Sequence, residues 1–377
     1  MAFTLLVFQF LAFHSPVTAQ PQPYRVPWSI VSYGPDGPWP ALHLRFGNPA
    51  VNIDAYPGGA FYSLLLTPDV CNIQKAELSS SCDTRNAGLY NPSQSRDAVN
   101  LITAGAGGIR NESFHGTQTI HGDANLVFDT LSFGDGSRTD AVVSNATILA
   151  LSSALKTLPS GKAYKPFVGN MALGAGDKSM FLGSAKGSIP AAFLFDRGDI
   201  PSYSFGLHIG SPSLSILGSL SGSRLVVDLV DISIGVADEK SSSLFKFSLK
   251  TPAVPTAYLG FTFRYNASIT KNFDIKIPFK LLNLTLTAPL VDRPTPYFPC
   301  SLPTLDSTGD SPSTFRLGRA FLQAAFIGVN WLSPASMFFL AQAPGPLFSP
   351  SVVRSIQPND VSVATSGSLE ADWVKTW

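Results

Sequence analysis

The chain has 377 residues, enough for one or two sizeable domains, and its 26 Lys and Arg balance 25 Asp and Glu to a net charge of +1. That balance excludes the basic face that a nucleic-acid binder needs, and only 14% of residues are charged, against about 25% in an ordinary globular protein. Hydrophobic residues at 45% suffice for a buried core, while 31 Gly and 30 Pro imply frequent turns and few long helices, so the expected class is mostly β.

Phe3 to Phe13 is an apolar run too short to span a bilayer, and Val17-Thr18-Ala19 after it is a small-residue cleavage pattern. The expectation is a signal peptide over residues 1–19, cut before Gln20, and a secreted or cell-surface protein. No Lys or Arg precedes the run, and a buried N-terminal strand is the alternative. Four N-x-[S/T] sequons, at Asn111, Asn145, Asn266 and Asn283, fit a glycoprotein on a secretory route.

Short apolar segments then recur between Gly, Ser, Asn and Asp clusters. Ala41–Phe46, Tyr62–Leu66, Asn125–Phe133, Ala141–Leu149, Tyr203–Ile209, Arg224–Val236, Leu244–Leu249 and Phe261–Tyr265 read as strands. Leu151–Leu158, Ala191–Arg197 and Gly318–Ala325 read as short helices. Between Arg319 and Arg354 there is no charge, yet Gln323, Asn330, Ser333-Pro334 and Ser336 interrupt the stretch. A hairpin of two core strands fits it better than a membrane span, and no span is expected. Residues 342–377 are rich in Pro, Ser and Asp without periodicity and read as a disordered tail.

There are three cysteines, so the core cannot depend on disulfides. Cys71 and Cys82 enclose a short polar loop that a local bridge would close at low entropic cost. Cys300 is left over. His43, His115, His121 and His208 show no ligand spacing and no CxxC pair exists, so no metal and no cofactor is expected.

The usual catalytic signatures are absent: GxSxG, HExxH, GxxxxGK[ST], GxGxxG at a strand–helix junction, and Asp-Thr-Gly or Asp-Ser-Gly. Gly134-Asp135-Gly136-Ser137 and Asp306-Ser307-Thr308-Gly309 come nearest and read as turns.

The order of segments resembles the pepsin-like (peptidase A1) aspartic proteases, most closely the fungal secreted or membrane-anchored branch. Gly37-Pro38-Trp39 with Leu42 to Pro49 is similar to the family's opening strand. Ser63 to Leu66 and Cys71, then Cys82 and Gly88 to Ser95, resemble its next strand, cysteine pair and Pro-x-x-Ser segment. Phe128-Asp129, Val168 to Gly176, Ile200 to Leu207, Leu217-Gly218-Ser219 and Ser223-Arg224 resemble later strands in order. Phe315 to Leu322 is similar to the family's Leu-Gly-x-x-Phe-Leu step, and Ala325 to Asn330 to the strand after it. The likeness covers most of residues 30–341.

The resemblance implies a bilobal acid-protease fold. An N-terminal β lobe would span 20–218 and a shortened, truncated C-terminal lobe 219–341. It puts the first catalytic aspartate on Pro57, in Tyr56-Pro57-Gly58-Gly59, and the second on Thr251. Asp54 is the nearest fallback and reads as a strand-end carboxylate. Neither Pro nor Thr can share a proton as an aspartate dyad does. The implied function is an inactive pseudoprotease binding an extended peptide or cell-wall glycan between its lobes. The alternatives are an aspartic endopeptidase using a non-standard aspartate, or a truncated product without function.

Overall fold

The computed structural model describes residues 21–360 except 60, 75–81, 104–118, 135, 137–138, 158–162, 175, 177, 183–184, 210–228, 237–256, 267–268, 298–316, 333–336 and 344–354. The expected signal segment and the strand expected at Leu244–Leu249 lie outside the described residues.

The architecture is mostly β. The chain opens with β1 (Trp28–Tyr33), β2 (Trp39–Phe46), β3 (Val51–Pro57), β4 (Ser63–Leu66) and β5 (Val99–Thr103). A long antiparallel pair follows, β6 (Thr119–Phe133) and β7 (Ala141–Thr157), then β8 (Ala163–Tyr164), β9 (Gly169–Met171), β10 (Ser179–Leu182) and β11 (Ala185–Ser188). All eleven join one mixed sheet. Its main path runs β10-β11-β7-β4-β9-β3-β2-β6-β5, with β1 added beside β2 and β8 beside β7.

After helix α1 (Pro190–Asp196) come β12 (Ser204–Leu207), β13 (Leu229–Val236), β14 (Ala257–Asn266), β15 (Ile269–Pro278), β16 (Leu284–Leu286) and β17 (Thr295–Tyr297). Helix α2 (Arg319–Ala324) then leads into the hairpin β18 (Ala325–Asn330) and β19 (Met337–Gln342). These strands form three small sheets, β12-β18-β19, β13-β14-β15 and β16-β17. No helix among the described residues is long and apolar enough to cross a membrane. The uncharged stretch after Arg319 folds instead as the expected hairpin, in register from Ala325 opposite Gln342 to Asn330 opposite Met337.

Packing follows the strand period. On β2, Leu42, Leu44 and Phe46 are buried while His43 and Arg45 stand on the other face. These buried residues belong to one core cluster that continues through Ile53, Val127, Phe205 and Phe263 to Trp331. A bridge between Cys71 and Cys82, with Cα atoms 5.4 Å apart, ties down the segment after β4.

Two expectations are corrected. Leu151–Leu158 was expected to be helical, but through Thr157 it is the second half of β7. The ladder with β6 slips there: Ala124 faces Leu151 and Asp123 faces Ser153, leaving Ser152 as the extra residue. A bulge shifts side-chain alternation by one, so Leu151 and Ala154 share one apolar cluster while Leu155 is buried on the opposite face, and three buried positions at 151, 154 and 155 mimic a helical spacing. The expected disorder of residues 342–377 also fails locally. Gln342 is still in β19, and the carbonyls of Ile356, Gln357 and Pro358 accept hydrogen bonds from Ser202 and Asn330. Buried donors on the body hold this short stretch in place.

Candidate functional site

The first candidate position, Pro57, is the last residue of β3. Beyond it the chain is clamped by β9, which runs parallel to β3 with Pro57 opposite Met171. Gly58 N–H donates to the Met171 carbonyl at 3.1 Å, and Leu173 N–H donates to the Gly59 carbonyl at 2.9 Å. Gly59 has φ +103°, and a Cβ there would lie 2.8 Å from the Tyr62 carbonyl oxygen, so the turn requires glycine. The polar neighbours are buried and occupied: Asn170 Oδ1 accepts from Leu64 N–H, and Ser63 Oγ accepts from Ala172 N–H. Pro57, Gly58 and Gly59 carry no titratable side chain. This turn can position a backbone but cannot move a proton.

Asp54 was expected at a strand end. It lies inside β3, with three more strand residues after it, and is buried. His43 sits directly opposite it on β2, and its Nδ1 lies 2.8 Å from Asp54 Oδ1. The other carboxylate oxygen accepts from the hydroxyls of Ser29 and Tyr33, each at 2.5 Å. Ser29 reaches it because β1 slips out of register with β2 between Trp28 and Ser32. Burial first, then the hydrogen bond to Asp54, pushes the Tyr33 hydroxyl up, which keeps it a donor. Asp54 therefore works as a tie between three strands, with both oxygens engaged.

A second polar cluster begins one residue from the turn. The Tyr56 hydroxyl donates to the Tyr33 carbonyl at 2.8 Å, and burial pushes its proton affinity up. The Arg319 guanidinium lies over the rings of Trp39 and Tyr56, 4.1 and 5.7 Å from their centroids. It is paired to Asp36 Oδ2, while Trp39 Nε1–H donates to Asp36 Oδ1 at 3.1 Å. Tyr297 O–H donates to the Asp36 carbonyl at 2.6 Å; burial, then Asp36, pushes that hydroxyl up to about 12. Lys156, half-buried on β7, joins this field. Burial first, then the like charge of Arg319, holds its ammonium down at about 8, with Asp36 opposing.

The structure thus brings Asp54 and Pro57 onto one strand without placing them in one working site. Thr251, Asn111 and Cys300 lie outside the described residues. Asn145 and Asn283 are exposed, and Asn266 ends β14. Among the described residues no group of His, Cys, Asp and Glu could hold a metal ion. Sequence reading missed Ser29, Tyr33 and His43 as partners of Asp54, and the Asp36–Arg319 pair. The first pairing carried a signal: counting outward from the Gly47–Ala50 turn matches Phe46 with Val51, and three steps on His43 with Asp54. No protein-family model matches the chain, and a search of curated proteins finds no match.

Proposed function

We propose that the chain is a secreted, catalytically inactive relative of the pepsin-like proteases, in which a cleft between two β lobes holds an extended peptide without cutting it. The observation that carries the reading is the turn Pro57-Gly58-Gly59. It ends a strand paired in parallel with β9, at the position the resemblance gives to the first catalytic aspartate, and it offers no carboxylate. Asp54 does not substitute for it, since three donors already occupy its oxygens. A shared-proton dyad needs two carboxylates in contact, one to activate water and one to protonate the carbonyl oxygen.

The test is digestion of an unfolded protein at acid pH, with and without pepstatin. No cleavage is expected. Pepstatin-sensitive cleavage that Asp54→Asn abolishes would overturn the reading in favour of an endopeptidase with an unconventional aspartate.

A further inference from the structure

The turn after β3 has one hydrogen-bond donor beneath it that the fold does not use. Asn170 sits on β9 between β3 and β4, opposite Tyr56 on one side and Leu64 on the other, and is 6% exposed. Leu64 N–H donates to Asn170 Oδ1 at 3.1 Å. An N–H bonds only to the amide oxygen, so this contact fixes the direction of the carboxamide. Its nitrogen faces the turn: a Cβ on Gly58 or on Gly59 would lie 3.5 or 3.6 Å from Nδ2. Among the described residues no group accepts from Nδ2. The sealed side-chain atoms that lack a partner lie elsewhere, so Nδ2 keeps contact with solvent.

The two glycines above it differ. Gly59 is required by its φ of +103° and by the Tyr62 carbonyl. Gly58 is outside the left-handed region, and a Cβ there would touch only the Asn170 side chain, at ordinary contact distance. The backbone therefore admits alanine at 58, and the effect of glycine is to leave the Asn170 amide uncovered.

We propose that Asn170 Nδ2 and the opening at Gly58 form a carbonyl-binding position, filled by one backbone carbonyl of an extended peptide. This rests on the cleft reading above and names the contact that sets the peptide's register. With Oδ1 already engaged, the carboxamide offers a neutral donor and no acceptor. A carboxylate would need a cation to offset its desolvation, and a sugar hydroxyl brings a donor that the carboxamide leaves unanswered. A peptide carbonyl only accepts. Successive residues of an extended chain face opposite sides, so one fixed donor selects one register.

The experiment is fluorescence anisotropy of the full chain with a dye-labelled peptide of alternating Val and Thr, capped at both ends so that it carries no charge. Asn170→Asp keeps the acceptor for Leu64 N–H and removes the donor. Gly58→Ala keeps the donor and covers it with a methyl group. Each should weaken peptide binding about five- to tenfold, as expected for one neutral hydrogen bond. The double variant should lose no more than the weaker-binding single variant, because both act on one contact. In protein carrying isotope-labelled asparagine, the peptide should also move the Asn170 Nδ2 proton resonances, identified by their disappearance in Asn170→Asp. A role confined to supporting Leu64 would leave them in place. If Asn170→Asp does not melt as a folded protein, Gly58→Ala decides alone. Unchanged affinity in folded Gly58→Ala, additive losses in the double variant, or unmoved resonances overturn the carbonyl position and leave the cleft reading standing. No binding of the peptide by the wild type overturns both, as does binding of a neutral oligosaccharide in its place.

Discussion

Ser202 Oγ donates to the carbonyl of Ile356, joining residues 154 positions apart. Beside this contact Asn330, fully buried at the end of β18, points its Nδ2 at the carbonyls of Gln357 and Pro358, at 3.1 and 3.0 Å. Residues 355–360 thus cap the edge where β12 and β18 pair. Truncation after Ala343 should lower stability by about 2 kcal/mol, the scale of losing partners for buried polar groups. Thermal melting of the truncated and full chains checks it. Identical melting temperatures would mean that the cap contributes nothing.

His208 predicts an acid-sensitive fold. It is buried, its Nε2 lies 3.1 Å from the Gln323 carbonyl, and burial pushes its proton affinity down to about 4. The neutral ring must carry its proton on Nε2 to donate to that carbonyl. With the folded value below the unfolded 6.5, the unfolded chain binds the extra proton, so stability falls as pH drops from 6.5 to about 4. One proton over that window bounds the loss at about 3 kcal/mol. His208→Gln, which keeps an N–H donor, should flatten the difference between melting at pH 7 and at pH 4. An unchanged pH profile would assign the acid sensitivity to other groups.

Asp54 should matter for stability and not for chemistry. Asp54→Ala removes the buried carboxylate that the Ser29 and Tyr33 hydroxyls and the His43 ring nitrogen share, leaving Tyr33 only the Asn86 carbonyl, 3.1 Å away. Losses of about 2–4 kcal/mol are expected, because removing a buried charged acceptor costs more than one neutral hydrogen bond. Denaturant midpoints measure it. Tyr33→Phe should cost less, since Ser29 and His43 still satisfy the carboxylate.

Strand positions were legible where alternation was undisturbed, as at Ala41–Phe46 and in the hairpin after α2, because burial on one face imposes period two. The second half of β7 was misread because the bulge at Ser152 breaks that period, and a bulge is set by the partner strand. The same limit hid the site. Arg319 and Asp36 meet across 283 positions of sequence, and Ser29 reaches Asp54 only through the slipped register of β1. Local pattern carries no information on either contact.

The Cys71–Cys82 bridge gives the last prediction. The two cysteines are 11 positions apart, and the segment they close sits between β4 and the turn at Asp83–Ala87, where Lys165 Nζ also donates to the Cys71 carbonyl at 3.2 Å. Closing so short a loop removes chain entropy chiefly from the unfolded state, which amounts to about 3 kcal/mol on the loop-length estimate. Cys71→Ser with Cys82→Ser should therefore lower the denaturant midpoint while leaving the circular dichroism of the folded sheet unchanged, because neither cysteine lies in a strand. Thiol counting gives an independent measure. Of the three cysteines in the chain, one should react in denaturant without reductant, and all three after reduction. Three reactive thiols in the unreduced protein would show that the bridge does not form, and the double variant would then match the wild type in stability.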